Sequence, residues 1–175
     1  MATGEAEFDP RGLLAALDRN YVSYVVIGGI GRVLRGTDEL TNGLDICPSL
    51  RGDNLERLQK ALVELNAKRV DRKRLVLDEE NIADEPVIRL RTSGGELKIV
   101  PEPAGTRKGF DDLRRAATLE HIGHGLRPRV ASVPDLARMA AALGRQKDIE
   151  RSRELRRVME VEVGLQRRLG REFEL

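Results

Sequence analysis

Aromatic side chains are scarce, at 3% of 175 residues, so the chain carries no series of rings on which unpaired bases would stack. Cysteine is nearly absent. The single Cys47 excludes a disulfide framework and a cysteine-built zinc site within one chain, and its apolar setting, Ile46-Cys47-Pro48, reads as packing. Histidine is limited to His121 and His124, in a glycine-rich stretch with no third ligand nearby. They read as exposed turn residues rather than a metal pair, and no Ser-His-Asp or Cys-His nucleophile system can be assembled. No apolar run reaches the length that spans a bilayer, and the opening MATGEAEFDP lacks the basic-then-apolar pattern of a secretory signal. A cytoplasmic protein with no membrane partner is expected.

A large charge of one sign is also missing. The 31 basic residues and 29 acidic ones leave +2, which gives no bulk attraction to nucleic acid. Locally the balance tips: from Arg127 to Arg157 nine arginines and lysines face four acids, a net of +5. Such a stretch is either a solvated, salt-bridged helix face or a surface that meets phosphates. With 40% hydrophobic residues, 175 residues suit one globular domain, 1–175, with a core from about 21 to 148 and a C-terminal helix from about 146 to 169.

What the chain does have is a chemically pointed stretch from Val25 to Pro48. The pattern predicts a short strand over Tyr24–Ile27, a Gly28-Gly29 turn, a short helix over Ile30–Leu34, a loop, and a second strand carrying Leu44, Asp45 and Ile46. Glycine lets backbone N–H groups approach a bound phosphate closely, and a helix starting just after it adds its positive dipole end. Asp45 on the neighbouring strand is a carboxylate suited to the magnesium that accompanies a nucleotide.

Around this stretch the helix signals are regular. Asp9-Pro10 opens a helix with Leu13, Leu14 and Leu17 on one face, and Asp53 opens another with Leu55, Leu58, Leu62 and Leu65. Lys68–Leu77 alternates weakly, as a strand or two. Val87–Arg91 and Glu96–Val100 flank Thr92-Ser93-Gly94-Gly95, a hairpin signature, with Arg89, Arg91, Glu96 and Lys98 on one face. Phe110–Leu119 is expected to be a short helix and Arg127–Ala131 a late strand. Ser132-Val133-Pro134-Asp135 is a capping box opening a helix with Leu136, Met139, Ala140 and Leu143 on one stripe. A last amphipathic helix carries Ile149, Leu155, Val158, Met159 and Val163, and Gln166–Leu175 is expected to fray. The fold class is α/β (α+β): a mixed, mostly antiparallel sheet of four to six strands, helices chiefly on one face, and a helical C-terminal part.

Gly28, Gly29, Gly36, Thr41 and the triplet Gly43-Leu44-Asp45, followed later by Gly144-Arg145-Gln146-Lys147-Asp148, resemble the nucleotidyltransferase superfamily with its polymerase-beta-like palm fold. The small bacterial branch that includes AbiEii-type toxin proteins is similar in particular, and the resemblance runs from about Tyr21 to Asp148. It implies a nucleoside triphosphate and magnesium as substrate and cofactor if the protein is active, with an RNA, protein or small-molecule acceptor. It also implies that Gly28, Gly29, Arg35, Gly36 and Thr41 contact the nucleotide, that Asp45 is catalytic and binds metal, and that Lys147 lies near the phosphates.

The chain departs from that pattern where the metal would be held. The first aspartate of the strand triplet is Gly43, the third carboxylate is replaced by Lys98, and Arg151-Ser152 stand where a further carboxylate is common. Glu96 shares a strand face with Lys98 and is the nearest substitute metal ligand, displaced by about 6 to 7 Å along the strand. Three readings follow: a nucleotidyltransferase of weak or lost activity, a pseudoenzyme in which Lys98 stands in for metal beneath a bound nucleotide or other anion, or an interaction module using the basic C-terminal helix.

Overall fold

The computed structural model describes residues 4–173. Asp9 caps α1 (Pro10–Arg19) by accepting from the Gly12 N–H at 3.0 Å, with Pro10 in the first turn where no N–H is needed. The chain then enters β1 (Tyr24–Ile27), α2 (Gly28–Leu34), β2 (Gly43–Pro48) and α3 (Gly52–Glu64). A two-residue β3 (Lys68–Arg69) precedes the hairpin of β4 (Ile88–Thr92) and β5 (Gly95–Ile99). The short α4 (Phe110–Leu113), β6 (Thr118–Leu119) and β7 (Arg129–Val130) lead to α5 (Val133–Leu143) and α6 (Gln146–Phe173).

The strands form one mixed sheet in the order β3-β4-β5-β2-β1-β7-β6. Only β1–β7 and β2–β5 run parallel; the other pairs are antiparallel. At its centre β2 pairs with β1 on one side and with β5 on the other, in a register that sets Asp45 beside Lys98 and Gly43 beside Glu96. Alternation then sorts the faces. Leu44, Ile46, Leu97 and Ile99 bury into one core with Leu13, Leu17, Leu55, Leu58 and Leu62 of α1 and α3. Val25, Ile27 and Cys47 point the other way, into a smaller core with Leu113, Leu136, Met139 and Leu155. Cys47 is fully buried there, and burial, with Glu102 nearby, pushes its thiol up to about 12.

Several boundaries differ from expectation for local reasons. The sheet has seven strands rather than four to six, because β3 and β6 are two-residue edge pieces. Lys68–Leu77 yields only β3: Arg72 has a positive φ of 63°, and Arg69 is drawn into ion pairs with Asp71 and Glu85, both at 2.8 Å. The expected helix 110–119 stops at Leu113, and its last two residues pair with β7 instead. At the other end α6 does not fray at Gln166 but continues to Phe173.

Candidate anion-binding cleft

Between the β2–β5 face and the α5–α6 hairpin lies a cleft of about 660 Å³. Gly28 stands at its floor. The helix begins there rather than at Ile30, so the glycine pair forms the first turn of α2 instead of preceding it. Gly28 has φ +65°, and a Cβ at this position would lie 2.8 Å from Asp45 Cγ, so glycine alone permits both the bend and the approach to the carboxylate. Asp45 and Lys98 reach the cleft from adjacent strands. Lys147 sits exposed at the rim, where α6 begins.

Charge in the cleft is strongly biased. Arg32, Arg89, Lys98, Arg145, Lys147 and Arg151 line it, against Asp45 and Asp148. Asp148 is consumed by Arg145, whose Nε donates at 2.6 Å; burial alone would raise the carboxyl, but this hydrogen bond and charge hold it below the usual range. Arg32 is buried in spite of its charge and donates to Glu39 from Nε at 3.0 Å and from Nη2 at 3.0 Å. Arg151 approaches the same carboxylate at 3.6 Å. Glu39 titrates low, because these guanidinium groups and the Thr37 hydroxyl outweigh its burial. The remaining side of the cleft is apolar, formed by Val87, Val100, Pro103, Leu136, Met139, Ala140 and Leu143.

Asp45 is the cleft's one uncommitted carboxylate. Burial raises its pKa above the ordinary aspartate value; Lys98, Arg32 and Arg151 pull it down and Glu96 pushes it up, and burial prevails. Asp45 and Lys98 would be expected to pair as neighbours in register, yet among the described residues neither side chain is in a salt bridge. A stability effect follows with a definite sign. A carboxyl whose folded pKa is raised contributes stability below its unfolded pKa, and that contribution is lost as pH rises through the folded value. Asp45→Asn removes this titration. The variant is therefore expected to be the more stable form at about pH 7 and to lose that advantage at about pH 3, measured by urea denaturation at both. Equal midpoint shifts at the two pH values would contradict the burial argument.

The other sequence-predicted positions are divided. Thr41 donates to the Gly43 carbonyl at 3.1 Å and packs under Gly29, where a Cβ would come within 2.9 Å of its hydroxyl. The pair shapes the loop beneath the cleft. Gly36 (φ +110°) lies outside the cleft, facing Val158 of α6. Arg35, expected at the nucleotide, is committed elsewhere: Nε donates to the Ala131 carbonyl at 3.0 Å, Nη2 to the Val130 carbonyl and the Thr118 hydroxyl, both at 2.8 Å, and Nη1 to Glu120. It ties α2 to β6 and β7. Arg35→Ala is expected to cost about 3 kcal/mol of stability, since it strips partners from a largely buried charged network, while leaving ligand affinity in the cleft unchanged. Denaturation and ligand titration on the same variant check both halves.

Glu96, the substitute metal ligand, also needs correction. Its Oε1 accepts from Arg89 Nε at 3.1 Å and Nη2 at 3.0 Å, and it lines a neighbouring groove rather than the cleft. Magnesium does not fit the donors present. Among the described residues no group of three His, Cys, Asp or Glu side chains is placed to hold a metal, and Asp45, the single carboxylate available, has an ammonium beside it in register. His121 and His124 are exposed, as expected of a turn.

Arg32, which lines the cleft, and Glu39, which holds it, are residues that the sequence did not single out. Their signal was Arg32 itself, a charge inside the apolar run Ile30–Leu34, which must find a partner when buried. Arg151, counted before as a lost carboxylate, is an addition to the cleft's positive charge.

No family model and no curated protein matches the chain. Solved structures do. The antibiotic-resistance factor ANT(2'')-Ia is similar at TM-score 0.56 and 14% identity, over 94% of this chain and 92% of its own. A Thermotoga maritima protein provisionally assigned as a nucleotidyltransferase, TM1012, gives TM-score 0.54 and 17% identity over 90% and 98%. The lincosamide antibiotic adenylyltransferase LnuA, lincomycin-bound, gives 0.52 and 17% over 87% and 99%. The architecture is therefore that of the nucleotidyltransferases, and likeness at this identity speaks for the fold alone.

Proposed function

We propose that this protein binds a nucleoside triphosphate in the cleft through fixed side-chain cations, and that nucleotidyl transfer from it to an RNA, protein or small-molecule acceptor is weak or absent. The observation that carries the reading is Lys98, in register with Asp45, in a cleft lined by six cationic side chains and two carboxylates. A triphosphate brings about four negative charges; Lys98 and Lys147, in no salt bridge among the described residues, are the cations open to it, while Arg32, Arg89, Arg145 and Arg151 would share themselves between it and Glu39, Glu96 and Asp148. The apolar wall of Val100, Leu136, Met139 and Leu143 suits the face of a base, and no side chain there is arranged to read one base against another.

Transfer chemistry asks for more. Activating an attacking oxygen and neutralising departing pyrophosphate depends on carboxylate-held divalent ions, and the donors here do not support them. Asp45 remains as the single group able to accept a proton in the cleft, and its raised pKa suits that role poorly as a metal ligand and moderately as a base. The neighbours that act on antibiotics support nucleotide transfer as a use of this fold.

The test pairs binding with turnover. ATP, ADP and AMP are titrated by calorimetry, and label from each triphosphate is followed into added RNA, protein and aminoglycoside. Affinity falling stepwise with phosphate number, with no label transferred, supports the proposal; rapid transfer that Asp45→Ala abolishes would contradict it.

A further inference from the structure

The strongest uncommitted charge outside the cleft lies along α6 from Arg153 onward. Gly144, with a left-handed φ of 69°, folds α6 back on α5, but α5 has 11 residues and α6 has 28. At 1.5 Å per residue these lengths are about 16 and 42 Å, so α5 covers less than half of its partner. Burial follows that limit. Asp148, Ser152 and Leu155 are buried, Val158 and Met159 half-buried, and from Glu160 to Arg171 every residue but Gly164 is exposed.

The helical repeat gathers Arg153, Arg156, Arg157, Arg167, Arg168 and Arg171 into one sector about 120° wide, with Glu160 inside it and Glu150 at its edge, one turn before the first arginine. All six are exposed, and none enters a salt bridge among the described residues; the paired Arg151 projects from the opposite side, towards the cleft. This face is thus separate from the site above. It divides into two groups, and the doublets Arg156-Arg157 and Arg167-Arg168 lie about 16.5 Å apart along the axis.

We propose that this face of α6 binds duplex DNA, one arginine group to each phosphate rim of the major groove. The groove of B-form DNA is about 12 Å wide, and adding the phosphate groups on either side brings its rims to the spacing of the two doublets. Guanidinium meets phosphate with two parallel N–H donors, which favours arginine over lysine for this purpose. The deep, narrow major groove of an RNA duplex does not offer the same spacing, and the scarcity of aromatics leaves no platform for single strands. Between the doublets stand Glu160 and Gly164, so contacts are to the backbone and binding is independent of base sequence. The near-neutral chain as a whole does not oppose this, because screening confines the interaction to the local face.

The test is fluorescence anisotropy of labelled mixed-sequence duplex DNA against the full chain over a range of salt. Wild type is expected to bind, with affinity falling as salt rises. Arg156→Gln with Arg157→Gln, and separately Arg167→Gln with Arg168→Gln, should each weaken binding about tenfold and reduce the slope of log affinity against log salt by about 2. Glutamine keeps helix propensity close to arginine's, so unchanged circular dichroism and unchanged ATP affinity accompany the loss. Absence of binding at low salt, tighter binding of duplex RNA than of DNA, or a salt slope untouched by both double variants would overturn the proposal.

Discussion

Lys98→Glu is expected to weaken ATP binding by on the order of 100-fold, the largest loss of any single substitution in the cleft. Lys98 stands beside Asp45 on the central strand pair, half-buried, where an ammonium attracts phosphate oxygens in a medium less screening than bulk water. A charge-assisted contact of this kind is worth about 1.5–3 kcal/mol, and reversing it replaces attraction with repulsion next to a second carboxylate. The control is Lys108→Glu, which makes the same change in net charge at an exposed position outside the cleft. It should alter affinity less than about twofold at physiological salt. Comparable losses in the two variants would mean that overall charge, not the cleft, governs binding.

The second large effect is a gain. Gly43→Asp together with Lys98→Asp is expected to create magnesium binding with a dissociation constant on the order of 0.1–1 mM, where the unaltered chain binds magnesium negligibly. Both positions face the cleft side of the sheet, flanking Asp45 along β2 and across to β5. The backbone accepts the first change: a Cβ on Gly43 would lie 3.3 Å from the Glu96 carbonyl oxygen, a tight contact that a few tenths of an ångström relieves. Charge at the site moves by three units towards negative, turning a cation-repelling lining into a cation-holding one. Calorimetric titration with magnesium measures it directly. A silent double variant would show that carboxylates at these two positions are not held closely enough to converge on one ion.

How far the residues announced this arrangement depends on the range of the forces involved. Two-residue alternation puts Asp45 and Lys98 on the same face, because the period of a strand leaves no other choice once Leu44, Leu97 and Ile99 go to the core. The β4–β5 hairpin was equally local: Gly95 takes φ +96° and the Thr92 hydroxyl donates to its carbonyl at 2.7 Å. Ser132 capped α5 as written, accepting from the Asp135 N–H at 3.2 Å.

What stayed hidden was made by tertiary contact. Arg35 sits next to Gly36 in a motif that suggests nucleotide binding, yet its guanidinium crosses to the carbonyls of Val130, in β7, and Ala131, just after it, 95 and 96 residues away in sequence. Glu96 lost its place as a metal ligand to Arg89, a cross-strand neighbour whose preference over a metal no spacing rule states. The joint hold of Arg32 and Arg151 on Glu39 required α2, the following loop and α6 to meet. The last turns of α6 were missed because Gly164 and Gly170 interrupt the helical pattern and its apolar residues there, Leu165 and Leu169, are exposed rather than set in a buried stripe.

The proposed binding mode rests on fixed cations, with Lys98 foremost, meeting the phosphates in place of a metal ion. The measurement that reaches it most directly is calorimetric titration of the unaltered protein with ATP, once in excess chelator and once in excess magnesium. ATP is expected to bind in chelator, and magnesium to weaken binding because it neutralises the phosphates the cleft cations would engage. Binding seen only with magnesium present would contradict it.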